Sequence, residues 1–419
     1  MRDQPLRILI VSQYFWPENM RINDLAEGLV ARGHEVTVLT GTPNYPAGSL
    51  FPDYKNNPSS YLEYEGVQII RVPMMLRGKH SVTLALNYLS FFMSASTIGT
   101  YKLRAREFDA IFVYAVSPIL SAIPAIVVGR LKKVPVFVWV LDLWPETLSA
   151  VGVVKNPKIL GVVGRVVSWI YNRTDYLLLQ SQGFMGSVRK YCTKPISDDR
   201  LVYFPSWAED DFSAGSAATS DLLSKNDSVF TVVFAGNIGE SQDFPAVLDA
   251  VETLQSELPV RWVIVGDGRM SDWVKNQTQT RNLNNVLLLG RHPLEKMPAL
   301  FATADALLVS LRTNEVFSRT IPGKLQSYLA SARPIIAMID GEAARVVEAS
   351  GAGLVCSAGD ATGLAEIVRQ MAKMSVAQRD SMGFAGRAFY QENFAKQRIF
   401  DKLESLFGAA TLRRGGRNA

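Results

Sequence analysis

The chain has 419 residues, of which 48% are hydrophobic and 20% charged, and its net charge is +5. This length predicts two or three domains and excludes a single small binding module, while the composition excludes a disordered, collagen-like or wholly coiled-coil protein. The 2 cysteines and 3 histidines form no cluster with metal-ligand spacing. Structural zinc, iron–sulfur chemistry and a disulfide scaffold are therefore disfavoured.

The first half of the chain alternates short apolar strands with amphipathic helices. Strands are expected at 8–11, 36–39, 67–72, 110–114, 136–141 and 176–180. The uncharged run 110–129 is interpreted as a strand, a turn at Ser117-Pro118 and a core helix. Such alternation predicts a parallel sheet with helices on both faces. No secretory signal is recognised before the first strand, so a cytoplasmic location is expected.

A second uncharged stretch, 81–101, differs from the rest because it lies between basic flanks. Segment 71–200 holds 17 Lys/Arg against 7 Asp/Glu, a net charge of +10, which leaves −5 for the remainder. An apolar helix between cations suits the surface of an anionic bilayer. We expect an interfacial helix, with a buried core helix and a true membrane span as open alternatives. The flanking cations are Arg77, Lys79, His80, Lys102, Arg104 and Arg106.

The composition changes between 206 and 228, where a Ser/Ala/Gly/Thr-rich segment has no apolar face and predicts a linker. A second alternating series follows, with strands at 230–235, 262–265, 286–289, 306–310, 334–338 and 353–356. The fold class is therefore α/β, with two tandem Rossmann-like doubly wound domains at 1–208 and 209–392. The last helix, about 393–410, is free to cross back to the first domain, and 411–419 is expected to be a basic flexible tail.

Ligands of open parallel sheets bind beyond the carboxyl ends of the strands, where three loops of the second series carry glycines. Gly236, Asn237 and Gln242 follow one strand, Gly266 and Gly268 follow a second, and Gly290 and Arg291 follow a third. Close backbone approach and a helix N-terminus suit a phosphate, although simple chain reversal remains an alternative. Neither domain begins with GxGxxG, which disfavours a nicotinamide-dependent enzyme.

Lys324 lies in the first turn of a predicted helix that begins at Pro322-Gly323. A cation there opposes the helix dipole, and a bound diphosphate would explain it. The alternative is a lysine extended into solvent. In the first domain, Asp142 and Glu146 follow a buried strand and are candidate catalytic or acceptor-binding carboxylates, with helix capping by Asp142 as the alternative.

From Arg7 to about Phe407 the chain resembles bacterial retaining glycosyltransferases of the GT-B fold, glycosyltransferase family 4, in the branch that builds O-antigen, capsule or exopolysaccharide. The resemblance rests on segments 14–18, 32–40, 142–146, 236–240, 265–268, 304–309, 321–330 and 333–336. It implies two domains facing a cleft and a crossover of the last helix. It further implies a diphosphate held by the 236–242 loop and Lys324, a base beside Gly290-Arg291, Asp142 facing the reacting sugar, and Glu18 and Arg21 lining the cleft.

Two departures concern the donor site. The family's pair of glutamates, spaced by seven residues, falls on Arg319 and Ser327, and Glu315 is the nearest upstream carboxylate. The family's Arg/Lys pair is replaced by Asn237 and Gln242. We expect Lys324 and Arg319 to supply the missing positive charge.

The resulting expectation is retaining transfer of a sugar from a nucleotide diphosphate, most simply UDP, to a lipid-diphosphate-linked saccharide. It would take place at the cytoplasmic face of the inner membrane, with the protein attached peripherally through about 77–106. No obligatory cofactor, no metal and no nucleic-acid partner are expected. The alternatives are a sugar-nucleotide epimerase or hydrolase on the same scaffold, and a non-catalytic membrane-associated assembly subunit with a degenerate donor site.

Overall fold

The structure is a computed structural model that describes residues 4–78, 80–150, 152, 154–193, 196–213 and 220–415. It divides into two compact units. Unit 1 comprises the described parts of 1–180, 184–204 and 400–419, and unit 2 those of 181–183 and 205–399. Residues 214–219 of the predicted linker, residues 416–419 of the predicted tail and Lys79 of the basic flank lie outside the described residues.

Unit 1 is built on an eight-stranded sheet in the order β3-β4-β2-β1-β5-β6-β7-β8. All neighbours pair in parallel except β3 with β4, which are antiparallel. The central strands β1, β5, β6 and β7 are buried along almost their whole length, as expected for a sheet covered on both faces. The strands are β1 Arg7–Val11, β2 Glu35–Thr40, β3 Glu63–Tyr64, β4 Val67–Arg71, β5 Ala110–Ala115, β6 Val136–Val140, β7 Tyr176–Leu179 and β8 Leu201–Tyr203.

The helices of unit 1 connect these strands. They are α1 Arg21–Ala31, α2 Pro52–Asn56, α3 Ser81–Ser94, α4 Thr100–Lys102, α5 Ala122–Lys132, α6 Glu146–Ala150, α7 Pro157–Tyr171 and α8 Phe184–Tyr191. A π-helical turn, Ala95–Gly99, joins α3 to α4 into one helical segment. The interpretation of 110–129 as strand, turn and core helix is confirmed, because β5 and α5 occupy it and most of α5 is buried.

Unit 2 has a six-stranded sheet in the order β11-β10-β9-β12-β13-β14, with every neighbouring pair parallel. This is the doubly wound order, in which the chain reverses direction across the sheet between β9 and β12. Its core consists of β9, β10 and β12 packed against α10 and α16. The strands are β9 Phe230–Ala235, β10 Val260–Val265, β11 Val286–Gly290, β12 Ala306–Ser310, β13 Ile335–Met338 and β14 Gly353–Cys356.

The remaining helices are α9 Asp210–Ser213, α10 Phe244–Gln255, α11 Ser271–Thr280, α12 Met297–Ala302, α13 Glu315–Ser318, α14 Gly323–Ala330, α15 Glu342–Ser350, α16 Ala361–Lys373, α17 Val376–Asn393 and α18 Lys396–Gly415. The part of α18 from Phe400 onward belongs to unit 1. There Phe407 packs edge-on against Phe137 with 4.9 Å between ring centroids, and Glu404 binds His34 at 2.8 Å. The last helix continues to Gly415 rather than ending near 410.

Candidate active site

The carboxyl ends of β9, β10 and β11 in unit 2 are linked through the backbone of their glycine loops. Gly236 donates its amide to Val265 O at 2.9 Å, and Gly266 donates to Gly290 O at 2.8 Å. Gly266 has φ +134°, and a Cβ on it would lie 1.8 Å from Gly236 O. Only glycine permits this approach, so the three loops form one continuous backbone surface at the edge where ligands bind parallel sheets.

Lys324 reaches this surface from the first turn of α14. As a residue it is half-buried, but its Nζ is shielded from solvent and has no hydrogen-bond partner among the described residues. Nζ lies 3.6 Å from the centroid of the Phe234 ring, and a Cβ built on Gly236 would lie 3.1 Å from Nζ. Burial lowers the pKa of Lys324 from 10.5 to about 7. The arrangement places an unpaired cation directly beside the Gly236 loop.

The side chains of Ser327 and Tyr328, which follow Lys324 in α14, hold that helix against its surroundings. The Tyr328 hydroxyl accepts a hydrogen bond from Ala235 N at 2.9 Å and donates one to Ala235 O at 3.2 Å. The Ser327 hydroxyl, on a residue only 8% exposed, donates to Glu209 Oε2 at 2.9 Å. A carboxylate from 118 residues away thus contacts the position where the family has its second glutamate. The sequence gives no signal for this contact, because Glu209 lies in a separate segment.

The other predicted donor residues have different surroundings. Arg319 and Glu315 pair with each other across one turn at the end of α13, so this cation is already balanced by a carboxylate. Gln242 Oε1 accepts the amide of Gly239 at 3.0 Å and thereby stabilises its own loop. Asn237 and Arg291 are exposed just after strands β9 and β11. Of the predicted set, the structure brings Gly236 and Lys324 together directly, and Gly290 joins them through Gly266.

In unit 1, Asp142 follows β6 and faces the loop after β5. Its Oδ2 accepts the amide of Ser117 at 3.2 Å, and burial raises the pKa of this carboxyl. The Ser117 hydroxyl in turn accepts the indole N–H of Trp144 at 2.8 Å. A half-buried carboxylate at the carboxyl end of a central strand has the position of a group that holds or accepts a proton.

Glu146 lies one turn further along the chain, in a different environment. It begins α6 and lines a groove of about 540 Å³ beside Gly164 and Tyr191. The Tyr191 hydroxyl shares a hydrogen bond with it, and burial together with this carboxylate raises the pKa of the phenol. Asp142 and Glu146 therefore have separate contacts, with the β5 loop and the α7–α8 region respectively.

Glu18 is buried beneath two loops of unit 1. It is 2% exposed, and its carboxylate accepts the amides of Phe15, Asn44 and Tyr45 at 3.0, 2.7 and 3.0 Å. Burial raises the pKa of this carboxyl. Its contacts indicate that it positions both loops, a use that the sequence pattern did not indicate. Arg21 begins α1 and lies 3.7 Å from Asp24.

The helical segment 81–102 exposes a row of apolar side chains on one face. Val82 is 71% and Met93 63% exposed, and Leu86 and Leu89 lie between them. Val82–Lys102 is long and apolar enough to cross a membrane, and only 22% of its most apolar window is buried. Among the described residues, no group of three or more His, Cys, Asp or Glu side chains is placed to hold a metal ion.

Comparisons with known proteins agree with this architecture. The model of the Glycosyl transferase 4-like domain matches residues 19–207, and that of Glycosyl transferases group 1 matches residues 229–374. WbjE of Pseudomonas aeruginosa, whose name describes it as a probable glycosyltransferase, is 26% identical over 64% of this chain and 67% of its own length. WcaI of Escherichia coli K12, named for colanic acid biosynthesis, is 25% identical over 78% of this chain and 81% of its own.

A solved structure shows the same fold across both units. Anabaena HepE in complex with UDP and glucose superposes with a TM-score of 0.66 at 16% identity, covering 96% of this chain and 99% of HepE. The two parallel-sheet α/β units are thus the domains of a GT-B fold.

Proposed function

This chain is a glycosyltransferase in which a Glycosyl transferase 4-like domain is followed by a Glycosyl transferases group 1 domain, and we propose that it transfers a sugar from a UDP-sugar to a lipid-linked saccharide. Retention at the anomeric carbon and a role in O-antigen, lipopolysaccharide or related cell-surface polysaccharide synthesis are parts of the same proposal. The name of WcaI, which refers to colanic acid biosynthesis, supports the class of product, and the UDP in the HepE complex supports the class of donor.

The observation that carries the proposal is the environment of Lys324. A buried ammonium without a hydrogen-bond partner among the described residues is unfavourable in a folded protein unless a ligand uses it. The first turn of α14 has no side-chain cap, so its N–H groups add donors that suit phosphate oxygens, and the absence of a side chain at Gly236 lets a ligand approach closely. A diphosphate combines the charge and the acceptors that this site lacks.

The chemistry follows from that placement. The bond between the anomeric carbon and the diphosphate oxygen breaks, and a new bond forms to an acceptor hydroxyl oxygen. The acceptor proton passes to the departing diphosphate, whose growing negative charge Lys324 stabilises. Arg319 would add a second cation if its pair with Glu315 opens, so no obligatory metal is part of the proposal. Asp142 is proposed to contact the reacting sugar or acceptor.

We place the acceptor at the cytoplasmic face of the inner membrane. The exposed apolar row of the helical segment 81–102 and the cations that flank it match an anionic lipid surface in both polarity and charge. The protein would attach peripherally, with that row in the interface.

Two experiments test this function. Titration with UDP and a panel of UDP-sugars should show saturable binding, and incubation with synthetic lipid-diphosphate acceptors should add one sugar mass to the lipid. Conversion of a UDP-sugar without any acceptor would instead indicate an epimerase or hydrolase. Absence of all nucleotide binding would contradict the proposal.

A further inference from the structure

Arg77 is a cation in unit 1 that is surrounded by tyrosines rather than by carboxylates. Its Nη1 donates to Tyr14 OH at 3.4 Å and to Tyr88 OH at 3.3 Å, and its guanidinium carbon lies 5.3 Å from the Tyr45 ring centroid. Among the described residues, no carboxylate lies within ion-pair distance of it, and its Nε and Nη2 have no hydrogen-bond acceptor. Three of the five donors of this rigid fork, one on Nε and two on Nη2, therefore remain available.

The backbone around Arg77 is held in place. Its amide donates to Asn44 Oδ1 at 2.8 Å, and the amide of Asn44 donates to the buried Glu18 at 2.7 Å. A Cβ on Gly48, which has φ +76°, would lie 2.1 Å from Arg77 O, so this loop packs directly on the arginine backbone. The guanidinium is thus positioned before any ligand arrives, which lowers the entropy cost of binding.

The tyrosines are equally fixed. Tyr14 and Tyr45 rings lie 5.1 Å apart, and Tyr14 OH donates to Asn87 Oδ1 at 3.0 Å inside α3. Burial raises the pKa of Tyr14 to about 12, so the phenol is neutral at physiological pH and does not compete with an anion for Arg77. The cluster of Arg77, Tyr14, Tyr45 and Tyr88, which we call the tyrosine box, presents a positive charge within neutral hydrogen-bonding groups.

The tyrosine box adjoins the apolar row of α3. Tyr88 belongs to the box, and the next residue, Leu89, belongs to the exposed row. A ligand with a charged head and an apolar chain would match both surfaces at once. Resting on the proposed function, we propose that Arg77 in the tyrosine box binds the diphosphate of the lipid-linked acceptor, while the lipid chain follows the apolar row.

The test compares two kinds of vesicle. One set of vesicles is phosphatidylcholine with a few mole per cent of polyprenyl diphosphate, and the other is phosphatidylcholine with phosphatidylglycerol at the same total charge. Co-sedimentation of the full chain with each set is measured. The wild type should prefer the diphosphate vesicles. Arg77→Gln should weaken binding to these vesicles about tenfold or more while changing binding to phosphatidylglycerol less than about twofold. Arg77→Lys, which keeps the charge but not the fork, should lose an intermediate amount.

Arg104→Gln is the matched control, because Arg104 is a second basic residue flanking the helical segment 81–102, in the turn that follows it, and lies over the Tyr101 ring at 3.9 Å. It should weaken binding to both vesicles equally and slightly. Equal losses on both vesicles in Arg77→Gln, or no preference for diphosphate in the wild type, would overturn the inference. Unaltered sugar transfer to the lipid acceptor in Arg77→Gln would also overturn it while leaving the proposed function intact. If the wild type does not bind UDP at all, in contrast, that result would refute only the proposed UDP-sugar donor.

Discussion

Replacing Lys324 by methionine should make the protein more stable and at the same time unable to bind the donor well. The methionine keeps the length and apolar packing of the stem over Phe234 but removes the buried ammonium. A residue that serves packing alone would show the opposite, a loss of stability without a specific loss of ligand. The combination of the two effects therefore separates a binding lysine from a structural one.

The magnitude of the stability change follows from the pKa and the ring. Lowering the pKa of Lys324 from 10.5 to about 7 reduces the free energy of unfolding at pH 7 by about 4 kcal/mol. The Phe234 ring face offsets about 2 kcal/mol of this. Lys324→Met should thus raise the free energy of unfolding by about 2 kcal/mol at pH 7. Because the unfolded chain binds the extra proton between pH 7 and 10.5, the gain should be complete below pH 7 and vanish above pH 10.5.

Lys324→Met should also bind the donor nucleotide much more weakly than the wild type. Removing a charge-assisted contact to a diphosphate costs about 2 to 4 kcal/mol, or about 30- to 1,000-fold in the dissociation constant for UDP. Isothermal titration with UDP and urea unfolding measure the two quantities on the same sample. Lys275→Met, which alters an exposed lysine on α11, is the control and should leave both unchanged. A Lys324→Met variant that binds UDP like the wild type, or that unfolds more easily, would refute this reasoning.

Three further predictions concern the same two units. Between pH 7 and 9 the affinity for UDP should fall as Lys324 loses its proton, and Lys324→Arg should abolish this dependence in titrations at several pH values; a flat wild-type profile would contradict it. Gly266→Ala should destabilise unit 2 by about 2 kcal/mol or more and weaken UDP binding, whereas Gly161→Ala, with open space around its Cβ, should slightly stabilise the protein in urea unfolding. Asp142→Asn should slow sugar transfer about 100-fold in steady-state assays with UDP affinity unchanged, and normal turnover would exclude its role.

The fold was predictable because it depends on local patterns. Apolar runs such as β6 and β9, buried on both sheet faces, predict a parallel sheet, and intervening helices such as α10 carry an apolar stripe. The short edge strands β3 and β8 were not predicted, since two or three half-exposed residues give no periodicity.

The site was predictable only where one segment contains the signal. Lys324 was found because a cation in a first helical turn is anomalous within its own sequence window. The contact between Ser327 and Glu209 joins residues 118 positions apart, which no local pattern reports.

The same limit explains the remaining differences in unit 1. Glu18 looked like a cleft residue, but its oxygens are used by amides from two loops that meet only after folding. The tyrosine box draws residues from three separate segments around Arg77, so the sequence shows them merely as scattered aromatics. Long-range packing, rather than composition, decides these placements.

The most direct measurement is an experimental structure of the protein with bound UDP. The account predicts that an oxygen of the β-phosphate lies within hydrogen-bond distance of Lys324 Nζ, with the Gly236 loop against the diphosphate. A diphosphate bound elsewhere, with Nζ still without a partner beside the Phe234 ring, would contradict it.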